Sequence, residues 1–126
     1  MELILIILVI LILIFAIIEF KIHSKSLSKI PIRIHVNGSR GKSSVVRLIA
    51  SGLRAGGLKT LAKTTGTSPR IIDEDGKDKY IHRLRSASIG EQISLIRLFS
   101  KSKPDAIVIE CMAVNPQYQW ISEHKI

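Results

Sequence analysis

The stretch HVNGSRGKSSVVRL, His35–Leu48, joins a β-branched run to an amphipathic one through two glycines, an arginine and a lysine. Residues Ile32–Val36 before the loop have the composition of a buried strand, and Ser43–Ala55 after it reads as a helix stopped by Gly56-Gly57. The apolar residues expected on one face of that helix are Val45, Val46, Leu48, Ile49 and Leu53. A strand, a glycine-rich loop and a helix in this order can surround a phosphate with backbone N–H groups. The stretch therefore predicts a site for a polyphosphate.

A few side chains of the predicted nucleotide-binding loop have separate expected roles. Its residues are Asn37, Gly38, Ser39, Arg40, Gly41, Lys42, Ser43 and Ser44. The glycines allow the backbone to approach an anion, Lys42 reaches the β- and γ-phosphates, and the Ser43 hydroxyl is offered to Mg²⁺. Val36 occupies the place of the first glycine in the general GxxxxGK[ST] pattern. A plain glycine-rich turn is the alternative interpretation.

A carboxylate is expected beside this loop to complete a metal site. Glu110 directly follows the apolar run Ala106–Ile109, which predicts a strand ending at the same crevice. A carboxylate buried there without a partner would be costly, so we predict that Glu110 is a Mg²⁺ ligand rather than a solvent-facing strand end. No base that would activate the neighbouring Cys111 is identifiable, and we predict a small buried residue there rather than a nucleophile.

The segment TTGTSPR, Thr64–Arg70, is a second loop of hydroxyl groups with one arginine. It is either a substrate loop or an ordinary turn, and its residues alone do not separate the two. The substrate-loop hypothesis names Thr65, Gly66, Thr67, Ser68, Pro69 and Arg70.

The N-terminus predicts a membrane anchor. Every residue of Leu3–Ile18 is apolar, and fifteen of them are Leu, Ile, Val or Phe, which is worth about −5 to −9 kcal/mol for insertion. A signal peptide is the rival, but nothing basic precedes the run and no cleavage pattern follows it. Lysines follow the span, so the remainder is expected in the cytoplasm. We predict an anchor at residues 1–21 and a polar linker at residues 22–31.

Charge is uneven along the chain, whose net charge is +9. Eleven Lys or Arg and no Asp or Glu lie between Lys21 and Ile72, whereas Asp73–Ile126 carries eight of each. The first half therefore favours an anionic partner. No aromatic residue is interleaved with these cations to stack on bases, so nucleic acid is not expected. The single cysteine agrees with a reducing compartment.

Periodicity and turn signals predict the remaining elements. These are a strand at Leu58–Lys63, a hairpin pairing Ile71-Ile72 with Lys79–Leu84 around DEDG, a helix starting at the capping-box pair Ser88 and Glu91 and ending near Lys103, and the strand Ala106–Ile109. The buried stripe of the helix is expected at Ile89, Ile93, Ile96 and Phe99. Alternating strands and helices indicate an α/β fold with a mostly parallel sheet covered on both faces.

At these motifs the chain resembles a known family. NGSRGKSS is similar to the phosphate loop of the Mur ligase superfamily, which lacks the first Walker glycine. TTGTSPR resembles the Thr-Ser-Pro loop of the folate branch, and IVIECMA resembles the strand whose glutamate binds Mg²⁺. HVNGSRGKSSVVRLIASGLRAGG, AKTTGTSPR and IECMAVNPQYQ resemble the membrane-anchored poly-γ-glutamate synthases more closely, and together the motifs cover most of Ile32–Gln119.

The resemblance implies an ATP-dependent amide ligase of capsule synthesis. A glutamate carboxylate would be activated as an acyl phosphate and attacked by the amine of another glutamate, with Lys42 as the catalytic residue and Ser43 and Glu110 holding Mg²⁺. The implied partners are the membrane, other membrane subunits of the synthase, glutamate and the growing anionic polymer, which we expect Arg70 and the basic first half to guide.

The family also has downstream motifs and a C-terminal domain that are not found in this sequence. Residues 32–126 are therefore expected to be the N-terminal part of a truncated Mur ligase-like ATP-binding domain, either a piece of a longer enzyme or a split product that needs another chain, and inactive in isolation. The alternative function is a membrane-tethered P-loop nucleotide-binding module that couples hydrolysis to a partner.

Overall fold

The computed structural model describes residues 1–65, 69–80, 89–111 and 124. Within these residues the elements are α1 (Glu2–Ser28), β1 (Ile32–Val36), α2 (Lys42–Ala55), β2 (Thr60–Thr64), β3 (Arg70–Ile72), β4 (Asp78–Tyr80), α3 (Ile89–Lys101) and β5 (Ala106–Glu110). The predicted positions Gly66, Thr67, Ser68 and Ser88, and residues 81–84 of the predicted hairpin, lie outside the described part.

The strands form one mixed sheet in the order β1-β5-β2-β3-β4. Strand β5 is parallel to both β1 and β2, whereas β3 is antiparallel to β2 and to β4. The α/β class is therefore confirmed, but a mostly parallel sheet is wrong for the β3–β4 side. The DEDG turn accounts for the β3–β4 pair, because a short turn returns the chain antiparallel to the strand that it left.

Helices cover both faces of the sheet. On one face, α2 contributes to the buried cluster Val36, Val46, Ala50, Ala62, Ile72 and Val108. On the other face, α3 and the segment after α1 contribute to the cluster Ile30, Leu61, Ile96, Phe99, Ile107 and Ile109. Alternate residues of β2 and β5 thus enter opposite cores, which explains why both strands are buried at every position.

The ends of α2 match the sequence, but its buried stripe is narrower than predicted. Leu58 and Gly57 donate to the carbonyl oxygens of Leu53 and Arg54, and Gly57 has a φ of 88°, which is the Schellman stop typical of glycine. Val45 and Leu48 are 42% and 73% exposed, so their assignment to the core face is wrong. The stripe that meets the sheet passes instead through Val46, Ile49, Ala50 and Leu53.

Helix α1 is long and apolar enough to cross a membrane, and it also belongs to the folded domain. The helix continues to Ser28, through most of the segment predicted as a linker. Near this end His23 is buried, Leu27 packs against the sheet's second core, and Glu19 accepts a 2.6 Å hydrogen bond from Arg97 of α3. The apolar helix therefore enters the domain without a break.

The β3–β4 hairpin is held by its turn and by two arginines of α2. The Asp73 carboxylate accepts hydrogen bonds from the backbone N–H groups of Lys77 and Asp75, and chiefly the first lowers the pKa of Asp73. Arg54 donates to the carbonyl oxygens of Asp73 and Glu74 at the turn. Because Arg47 also binds Asp78 of β4, one helix fixes the hairpin at two points.

Candidate functional site

The loop between β1 and α2 is exposed and ends at a residue with left-handed backbone. Gly41 is the N-cap of α2 with a φ of 75°, and its carbonyl oxygen accepts from the N–H of Val45 to start the helix. The Asn37 side chain accepts a 2.8 Å hydrogen bond from the N–H of Gly38. The loop is therefore shaped by its glycines and by its own backbone.

The N-terminus of α2 suits an anion. No side chain caps it and no acidic residue lies in its first turn, within the part of the chain that the structure describes. The first N–H groups of a helix carry partial positive charge and have no partner inside the helix. The stem of Lys42 lies over the loop, since a Cβ built on Gly38 would be 3.8 Å from Lys42 Cγ. The start of α2 and the stem of Lys42 thus lie at the loop where phosphate was predicted.

Glu110 meets this loop from the neighbouring strand. It is the last residue of β5, it lies opposite Val36 at the end of β1, and it is only 4% exposed. The N–H of Cys111 donates to the Val36 carbonyl oxygen at 2.8 Å, which continues the pairing just beyond the strands. Ser43 Oγ then donates a 2.6 Å hydrogen bond to Glu110 Oε2. The two residues predicted as metal ligands therefore touch.

The second loop reaches the same carboxylate through its backbone. The N–H of Thr65 donates to Glu110 Oε2 at 2.8 Å, so one carboxylate oxygen joins β5, the start of α2 and the end of β2. The hydroxyl group that singled out Thr65 in the sequence takes no part in this bond. Pro69 is buried, and residues 66–68 lie outside the described part.

Arg70 is held away from Glu110 by an intervening strand. It is the first residue of β3, opposite Thr64, and β2 separates β3 from β5. Its guanidinium is 3.5 Å from Asp78, which Arg47 binds through two nitrogens at 2.8 and 3.0 Å. The Arg47 hydrogen bonds are the main cause that lowers the pKa of Asp78, and the same contact raises the pKa of Arg47. Arg47 was not singled out in the sequence.

Two further polar residues beside the site also escaped the sequence motifs. Lys63, fully buried on β2, places its ammonium 3.1 Å from Glu91 of α3. Gln92 of α3 donates to the backbone carbonyl oxygen of Glu110 at 3.4 Å. Their only sequence signal is position, since Lys63 adjoins the TTGTSPR loop and Gln92 follows Glu91, the acidic member of the predicted capping-box pair. Together they tie the start of α3 to the strand ends that carry the site.

Two side chains that could hold a hard divalent cation meet here. A serine hydroxyl and a carboxylate are the oxygen donors that Mg²⁺ takes from proteins, with water and phosphate oxygens completing its shell. No group of three or more His, Cys, Asp or Glu side chains that could hold a metal occurs among the described residues. The pair therefore fits a metal that is bound together with a nucleotide, rather than one enclosed by protein alone.

The described residues thus define an α/β protein whose first helix is apolar enough to cross a membrane and whose glycine-rich loop adjoins a buried carboxylate. Comparison with known proteins then gives the particular relatives. The chain is 42% identical over 117 residues to "Capsule biosynthesis protein CapB" of Bacillus anthracis, covering 90% of this chain and 25% of the relative. It is 42% identical over 124 residues to "PGA synthase CapB" of Bacillus subtilis (strain 168), covering 97% of this chain and 32% of the relative.

These matches confirm the predicted resemblance to a poly-γ-glutamate synthase of the CapB type. The chain spans about a quarter to a third of the length of these relatives. No family model matches it. No solved structure matches it either.

Proposed function

We propose that this chain is the nucleotide-binding part of an ATP-dependent amide ligase that makes poly-γ-glutamate. The observation that carries the proposal is the 2.6 Å contact between Ser43, at the end of the glycine-rich loop, and Glu110 on the adjacent strand. The similarity to a protein named PGA synthase supplies the reaction class. Beyond this reaction class, we propose that the chain has a Mur ligase-like P-loop fold and that the enzyme uses ATP and Mg²⁺.

The reaction needs ATP because a carboxylate has no leaving group. In the proposed sequence a glutamate carboxylate oxygen attacks the γ-phosphorus of ATP, the bond to the bridging oxygen breaks, and ADP leaves. The amine of a second glutamate then attacks the acyl carbon, and phosphate leaves with the original carboxylate oxygen as the amide forms. One proton passes from the attacking amine to solvent. The protein's task is to neutralise charge on the transferred group and to align the reactants.

The chain's own residues divide this task by position. The N–H groups at the start of α2 would bind the phosphates, and Lys42, beginning that helix over the loop, would neutralise charge on the transferred phosphoryl group. Ser43 and Glu110 would hold Mg²⁺, which supplies electrostatic stabilisation of phosphate charge when bound. The Thr65 N–H donates to Glu110 Oε2 at 2.8 Å and would hold that carboxylate in place for the metal.

The membrane setting follows from α1. In the proposal α1 spans the membrane once, the α/β domain lies in the cytoplasm, and the chain works with other membrane subunits on glutamate and a growing polymer. The helix length and apolar composition support the anchor, and the lysines after the span support the orientation. The similarity to proteins three to four times as long supports a role as one part of a larger enzyme.

Nucleotide turnover by the full-length protein tests this proposal. In membranes that contain the complete synthase, ADP release should require glutamate and Mg²⁺, and Glu110→Gln should lower it by about 100-fold or more through loss of a metal ligand. Glu74→Gln is the matched control, because Glu74 is an exposed carboxylate paired with Lys59 at the hairpin turn. ADP release that is independent of glutamate but requires a partner subunit would favour the membrane-tethered nucleotide-binding module instead.

A further inference from the structure

A cleft of about 380 Å³ lies between α1 and α3, outside the site described above. It is lined by Ala16, Glu19, Phe20, His23, Ile93 and Arg97. Four of these residues belong to the apolar helix and two to α3. The cleft is therefore built from the anchor and the domain together, and it would be lost if α1 were only a flexible tether.

The cleft lies at a defined depth if α1 crosses a bilayer. The uninterrupted apolar run ends at Ile18, in the middle of the α1 residues that line the cleft. From Ala16 to His23 the helix rises about 10 Å. The headgroup layer on each side of the hydrocarbon core is roughly 5 to 8 Å thick. The cleft therefore spans the inner edge of the hydrocarbon and the headgroup layer.

The charged side chains in the cleft, Glu19 and Arg97, form an ion pair that does not use every donor of the guanidinium. Arg97 Nη2 lies 2.6 Å from Glu19 Oε2, with side chains 30% and 43% exposed. Arg97 Nε is buried and has no hydrogen-bond acceptor among the residues that the structure describes. Arg97 lines the cleft and its side chain is 30% exposed, so the guanidinium can also donate to an anion that enters the cleft beside Glu19.

We propose that the cleft binds the phosphoethanolamine headgroup of a membrane phospholipid. The lipid phosphate accepts from the Arg97 guanidinium, and the lipid ammonium donates to the Glu19 carboxylate. A zwitterion laid antiparallel to the Glu19–Arg97 pair places each charge beside its opposite. Ala16, Phe20 and Ile93 contact the glycerol and the first acyl carbons. The inference rests on α1 crossing the membrane and not on the ligase reaction, so either can fail alone.

Lipid competition on the full-length protein tests the site. The protein is placed in nanodiscs of phosphatidylcholine that contain a minor fraction of either phosphatidylethanolamine or phosphatidylglycerol, and retained lipid is counted by native mass spectrometry after mild delipidation. Phosphatidylethanolamine should be retained about tenfold over phosphatidylcholine, because a trimethylammonium group cannot donate a hydrogen bond to Glu19. Glu19→Gln should abolish this selectivity, whereas Arg97→Gln should lower retention of both lipids. Lys101→Gln, an exposed cation on the same helix, is the control and should change nothing.

Three results would overturn the proposal. The first is equal retention of all three lipids by the unaltered protein. The second is a preference for phosphatidylglycerol that survives Glu19→Gln, since this would be unspecific attraction of anionic lipid to cations. The third is loss of retained lipid when the other membrane subunits are bound, which would make the cleft a contact between subunits. The comparison of lipids on the unaltered protein needs no variant, so a variant that fails to fold does not prevent the decision.

Discussion

Ser43 Oγ donates a 2.6 Å hydrogen bond to Glu110 Oε2, although 67 residues separate the two in the chain. The contact exists because β5 inserts beside β1 in parallel, with Glu110 opposite Val36, so that the end of β5 faces the start of α2. A non-local strand pairing thus assembles the candidate metal site.

Removal of the Ser43 hydroxyl should lower the affinity for Mg²⁺ and leave the fold unchanged. Ser43→Ala should raise the Mg²⁺ concentration for half-maximal ATP turnover of the full-length protein by at least about tenfold, because one oxygen ligand is lost. Ser51→Ala, an exposed serine two turns further along α2, is the control. An unchanged Mg²⁺ dependence in Ser43→Ala would remove this serine from the metal site.

Two glycines of α2 should respond to alanine with opposite signs. Gly41→Ala should lower the free energy of unfolding by about 1 to 2 kcal/mol, because its φ of 75° disfavours any residue with a Cβ. Gly52→Ala should raise it by about 0.5 to 1 kcal/mol, because this glycine lies inside the helix. A Cβ would meet no atom within 4 Å at either position, so crowding is excluded as the cause. Urea unfolding of the two variants in parallel measures both, and a stabilised Gly41→Ala would contradict the loop geometry.

Replacement of Lys63 and replacement of Glu91 should cost different amounts of stability, although the two side chains form one ion pair. Lys63 is fully buried, whereas the Glu91 side chain is 22% exposed and can turn to water. Glu91→Gln should therefore destabilise by about 3 kcal/mol, because it removes the carboxylate charge beside a fully buried ammonium, and the near-isosteric Lys63→Met should cost less. The double variant Lys63→Met with Glu91→Gln should recover most of the loss. A double-mutant cycle of unfolding free energies decides this, and strictly additive losses would refute the coupling.

The Arg47–Asp78 contact should make part of the stability depend on acid pH. The folded state holds the pKa of Asp78 below its ordinary 3.8, mainly through the Arg47 hydrogen bonds. Its stabilisation is therefore complete above that pH and disappears as the pH falls through the folded-state pKa. Because both side chains are partly exposed, the Asp78→Asn loss at neutral pH should be only about 0.5 to 1 kcal/mol. The unfolding free energies of the unaltered protein and of Asp78→Asn should differ at neutral pH and agree at strongly acid pH. A difference that stays constant with pH would assign the loss of stability to another cause.

Much of the fold could be predicted because its signals are local. The bounds of β1, the glycine stop of α2, the hairpin around DEDG and the acid after an apolar run depend on residues within a few positions of one another. Ile96 and Phe99 are buried, as the helical spacing of α3 predicts. The side chain of Ile89 lies outside the described part, as do residues 112–119 of the IECMAVNPQYQ motif.

The missed features depend on contacts between distant residues or on the backbone. The bond from Thr65 to Glu110 uses an N–H group that every residue except proline carries, so no side-chain pattern announces it. A lysine is expected at the surface, and nothing near Lys63 in the sequence indicates that Glu91 of α3 lies beside it. Val45 and Leu48 fit a helical stripe as well as Ile49 does, and only the sheet's position decides which of them is buried.

The most direct test of the ligase account follows one oxygen atom. Polymer and glutamate, both labelled with ¹⁸O in their carboxylates, are supplied to the complete synthase with Mg²⁺ and ATP, and the released phosphate is examined by mass spectrometry. Activation of the carboxylate by phosphorylation predicts one heavy oxygen in each phosphate released with an amide bond, and none when Glu110→Gln abolishes turnover. Amide formation with unlabelled phosphate would contradict the account, because the bond would then form without an acyl phosphate.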